Sequence, residues 1–92
     1  MRTAEPTTRA QKEVLVTGDQ QSGWSPVAGE QAVSSRAVLL NIELQFDGSG
    51  YLLCYASDDG LLWGDTWHIS ENEAKQVTLE EFGVQPHEWR HA

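Results

Sequence analysis

The chain has 92 residues, with 14 Asp and Glu against 6 Lys and Arg, a formal net charge of -8. That length holds one domain with one modest core and leaves no room for a large cofactor cleft. Four Trp, two Tyr and two Phe separate it from a disordered acidic tail, and its single cysteine excludes both an internal disulfide framework and a cysteine-rich zinc site.

Residues 1–12 contain no apolar run and no periodicity, so they read as a flexible N-terminus ahead of a single α+β domain over 13–92. They do not resemble a secretory signal, and no stretch approaches the ~18 apolar residues of a membrane span. A cytoplasmic location is therefore expected. Val14-Leu15-Val16-Thr17 reads as a short strand stopped by Gly18-Asp19. From there to Ser35 the composition is that of a long loop over 18–35, rich in Gly, Ser, Gln and Pro, with Trp24 as its one large apolar residue.

Leu40, Ile42, Leu44 and Phe46 alternate with Asn41, Glu43 and Gln45, the period-two pattern of a strand buried on one face. Asp47-Gly48-Ser49-Gly50 supplies a turn, and Tyr51–Ala56 is apolar on both faces, as a central strand would be. Ser57-Asp58-Asp59-Gly60 is a second hairpin turn, and a third strand follows over 61–69. Ser70 and Glu73 have the spacing of a helix-capping box, with Ile69 and Ala74 spaced as a hydrophobic staple. Ala74, Val77, Thr78 and Phe82 make the inward stripe and Gly83 the stop. Pro86 opens a short terminal turn carrying Trp89. The fold class is α+β: an antiparallel three- to four-stranded meander with one C-terminal helix packed on one face.

All the excess charge falls in residues 37–92, which carry ten acidic groups against Lys75 and Arg90, while residues 1–36 balance. Such a field repels phosphate backbones, so no nucleic-acid partner is expected, and it steers cationic partners inward. Membrane association is not expected either.

Trp63-Gly64-Asp65-Thr66-Trp67-His68 is the most unusual stretch, bringing a carboxylate, a hydroxyl and an imidazole close together. On a regular strand Asp65 and Trp67 point one way and Thr66 and His68 the other. Asp65 and His68 could then meet only if Gly64 marks a bulge. The structural reading has both tryptophans filling the core and Asp65 bonding backbone near the helix start. The functional reading makes Trp24, Trp63, Asp65, Trp67 and His68 binding residues. His87 and His91 have the spacing of ligands on one turn, but no second cluster accompanies them, and no metal or other cofactor is called for. Cys54 lies in the central strand, where a thiol is usually inert packing. No convergent catalytic set emerges, which points away from an enzyme.

Gly50-Tyr51-Leu52-Leu53, Gly64-Asp65-Thr66-Trp67-His68, Glu80-Glu81-Phe82-Gly83-Val84 and Trp89 together resemble a pattern in small, acidic, functionally uncharacterised bacterial proteins with a DTWH…EFG(V/I)…W signature. The resemblance spans roughly residues 37–90. It implies a bacterial accessory protein of the sort carried on mobile genes, and it implies no activity. The reading that follows is a non-enzymatic module that binds another protein, an immunity-type module for a basic partner. The alternative is a small-ligand binder or minor enzyme with a pocket near Trp24, Asp65 and His68. A homo-oligomer formed through an exposed sheet edge is a third possibility.

Overall fold

The computed structural model describes residues 5–27 and 35–91. In chain order the elements are β1 (Glu5–Asp19), β2 (Gly23–Pro26), β3 (Arg36–Phe46), β4 (Tyr51–Ser57), β5 (Trp63–His68), α1 (Glu71–Phe82), a 3-10 turn (Pro86–Glu88) and β6 (Arg90–His91). The strands form one antiparallel sheet in the order β2-β1-β3-β4-β5, with β6 also paired to β1. The class is α+β, but the sheet is larger than a three- to four-stranded meander.

The enlargement comes from the N-terminal third. Residues 5–12, expected to be a flexible terminus, are the first half of a 15-residue strand that pairs with β3 from Glu5↔Phe46 to Val16↔Arg36. The ladder tolerates their polar composition because alternate side chains face solvent, while Ala10, Val14 and Val16 enter the core. The expected loop over 18–35 is likewise shorter at its start. Gly18 and Gly23 turn the chain with positive φ, and β2 returns along β1 from Asp19↔Gly23 to Val16↔Pro26. The rest of that expected loop up to 34 lies outside the described residues.

The β3–β4–β5 hairpins follow the alternation, except that Phe46 at the end of β3 is exposed. Leu40, Ile42, Leu44 and Leu53 are fully buried on one face, together with Val16, Leu62 and Val84. Asp47 builds the first turn by accepting from the N–H groups of Ser49 and Gly50. Helix α1 is capped at Ser70, whose Oγ accepts from the Glu73 N–H, and it ends at Gly83 with φ 74°. Ala74, Thr78 and Phe82 are its buried residues. The staple does not form, because Ile69 is 73% exposed. Phe82 instead closes an aromatic cluster, with its ring 5.0 Å from Tyr55 and 6.4 Å from Trp24.

Candidate functional site

Strand β5 pairs with β4 without interruption from Ala56↔Trp63 to Tyr51↔His68. Gly64 therefore marks no bulge. It is required for a different reason: a Cβ there would come within 2.7 Å of the Tyr55 ring, which lies across it. Gly50 plays the same part opposite Trp67, whose indole occupies the space a Cβ would need. Each glycine lets an aromatic ring lie flat against the backbone of the neighbouring strand.

Unbroken alternation separates the five candidate binding residues into two groups. His68 is buried on the inner face, 8% exposed, with Nε2 2.7 Å from Thr66 Oγ1 and Nδ1 3.9 Å from a Glu73 carboxylate oxygen. Trp24 belongs to the same interior, stacked on Phe82 and edge-on to Tyr55. Trp63, Asp65 and Trp67 occupy the outer face instead. The pocket expected near Trp24, Asp65 and His68 therefore does not form, because the strand carries Asp65 and His68 on opposite sides.

The two outer tryptophans do not fill the core either: Trp63 is 55% exposed and Trp67 51%. The inner face of β5 carries Gly64, Thr66 and His68, of which His68 is the buried one, and the Tyr55 ring occupies the space beside Gly64. Trp67 is fixed in place, its indole N–H donating to Asp47 Oδ2 at 2.9 Å. That donor, after the N–H groups of Ser49 and Gly50, holds the Asp47 carboxyl down at a pKa of about 2. The side chain of Asp65 makes no hydrogen bond or ion pair among the described residues, so its carboxylate is available between two exposed indoles.

The outer face continues from β5 across the sheet. One cross-strand row runs Asp65, Cys54, Glu43, Arg9 and Arg90, each directly opposite the next. Arg9 Nε donates to Glu43 Oε1 at 3.1 Å, and in the next row Gln11 donates to Asn41 at 2.6 Å. These residues floor an open groove of about 1060 Å³, with Trp63 and Asp65 on one side and His87, Glu88, Arg90 and His91 on the other. The C-terminal side is anchored by Lys12, whose ammonium lies 3.0 Å from a Glu88 carboxylate oxygen. Burial, and then the charges of Asp65 and Glu43, push the Cys54 thiol pKa up, which leaves it protonated and a poor nucleophile.

Neither a protein-family model, nor a curated protein, nor a solved structure matches this chain. Among the described residues, no group of three or more His, Cys, Asp or Glu is placed to hold a metal ion. No described helix is long and apolar enough to cross a membrane.

Sequence reasoning missed the contribution of β1 and the C-terminal segment to this face. The signal was present in the alternation of Arg9 and Gln11 with Thr8 and Ala10. It is faint because Lys12 interrupts the apolar side.

Proposed function

We propose that the chain is a non-enzymatic bacterial accessory protein that binds another protein, an immunity-type module for a basic partner. The observation that carries this reading is the exposure of Trp63 and Trp67 on either side of Asp65, on one face of a strand at the end of the sheet. Exposed tryptophans beside a free carboxylate suit protein contacts, because indoles add large apolar area with little side-chain entropy to lose. The net charge of -8 draws cationic surfaces toward the molecule. A cytoplasmic setting accords with the single free thiol.

This reading includes α1 lying across the inner face of the sheet, which leaves the outer face free for a partner. The burial of Ala74, Thr78 and Phe82 and the approach of Phe82 to Tyr55 support that placement.

Affinity capture with the tagged chain, at low and high salt, tests the proposal. A basic protein should be retained at low salt and released at high salt. Trp63→Ala should weaken its retention by about tenfold or more, as expected for removal of an interfacial anchor. A chain that retains no salt-sensitive protein, or one whose partner is indifferent to both Trp63→Ala and Asp65→Lys, would overturn it.

A further inference from the structure

We propose that the partner is held as an added β-strand: the open edge of β5 takes an extended, lysine- or arginine-bearing segment across Asp65 and Trp67. This deepens the protein-binding reading above and rests on it.

In an antiparallel pair the N–H and C=O of one residue point together, toward the partner strand at one position and away from it at the next. The Trp63 N–H donates no bond to β4. It donates to Gln20 Oε1 at 3.0 Å, and the Trp63 carbonyl accepts from the Trp24 indole at 3.4 Å. Leu62, one residue earlier, bonds the other way, its carbonyl accepting from the Ser57 N–H. The odd-numbered residues of β5 therefore direct their backbone groups to the outer edge.

Three odd-numbered positions follow Trp63. The Ile69 N–H is occupied, donating to Glu73 Oε2 at 3.3 Å. Between these two occupied positions, the N–H and C=O of Asp65 and Trp67 have no partner among the described residues. Asp65, Thr66 and Trp67 are all exposed, so nothing described lies over this stretch.

Between its caps β5 carries few of the protections common at a free edge. Its register contains no bulge, and its sequence contains neither proline nor lysine. Its one charged side chain is Asp65, which favours a cation in the position opposite. The overall charge acts in the same direction and works against a second copy of this chain as the occupant. Trp63 and Trp67 stand on either side of that position on one face. Trp67 is held over Gly50 and Asp47, and the exposed Trp63 indole is the one left to cover the aliphatic stem of an incoming Lys or Arg.

The test uses the full isotope-labelled chain and a short synthetic peptide of alternating Lys and Thr, followed by NMR. Added peptide should shift the Asp65 and Trp67 amides and slow their hydrogen exchange by about tenfold or more. Methylating the peptide's backbone nitrogens, which keeps its charge and side chains, should weaken binding by about tenfold. A Glu/Thr peptide should not bind. Equal binding of the methylated peptide would overturn strand addition while leaving the protein-binding reading intact. Unshifted Asp65 and Trp67 amides would also overturn it. Protection of these amides that rises with protein concentration, without peptide, would make a second copy the occupant and overturn the proposal too. The protein-binding reading itself stands or falls separately, on the capture experiment.

Discussion

Asp47 serves two structures at once, closing the β3–β4 turn through two backbone N–H groups and fixing the outer tryptophan through the Trp67 indole. Its depressed pKa gives this a pH signature. A carboxylate that ionises more readily in the folded state stabilises it above the ordinary value near 3.8, and that contribution fades as pH falls through about 2. The Asp47 carboxyl carbon should titrate by NMR with a midpoint of about 2, and the Trp67 indole proton should follow the same curve. A midpoint at or above 3.8 would show that these donors do not hold it. At this scale the sequence was informative about direction and silent about depth. Strand alternation alone separates Asp65 from His68. It does not reveal which parity faces inward, where Leu62 and His68 are buried, and that is what leaves Trp63 and Trp67 outside.

Among the elements, the helix is the most legible because its signals are local. Ser70 and Glu73 act three residues apart at its start and Gly83 directly after its last residue, and all three take their expected positions. Ser70→Ala should lower unfolding stability by about 1 kcal/mol in urea titrations, since the Glu73 N–H loses its acceptor. An unchanged midpoint would mean that solvent replaces the cap without loss. The first half of β1 was illegible for the opposite reason. Glu5, Arg9 and Gln11 carry little strand preference of their own, and what orders them is β3, thirty or more residues away, through the ladder and the Arg9–Glu43 and Gln11–Asn41 contacts. Such pairing leaves only faint alternation in the segment itself.

For the whole molecule, the C-terminal segment closes the far side of the groove by pairing Arg90 and His91 with Arg9 and Thr8. Trp89 is partly buried against the core, with the Lys75 ammonium 5.6 Å from its ring centre. Together with the Lys12–Glu88 pair it seats β6. Trp89→Ala should cost about 2 kcal/mol, below the range for a fully buried tryptophan, and should speed hydrogen exchange at Thr8 and Arg9. Unchanged exchange there would mean that β6 is held by its strand pairing and by Lys12–Glu88 alone. The groove's construction from β1, β3, β4, β5 and the C-terminal segment explains why no single motif announced it.

The side chains of Gln20, Trp24 and Glu73 have a colloidal consequence. By capping the backbone at Trp63 and Ile69, they leave a bare stretch whose full span, cap to cap, is only about 20 Å. Fibril growth by edge templating needs a strand that can be copied along its length by the next chain. A bare segment this short, stopped at both ends and carrying a carboxylate at its middle, can seat one short guest yet is poorly suited to seed a stack. The same caps that define where a partner could sit therefore protect the molecule from polymerising on itself.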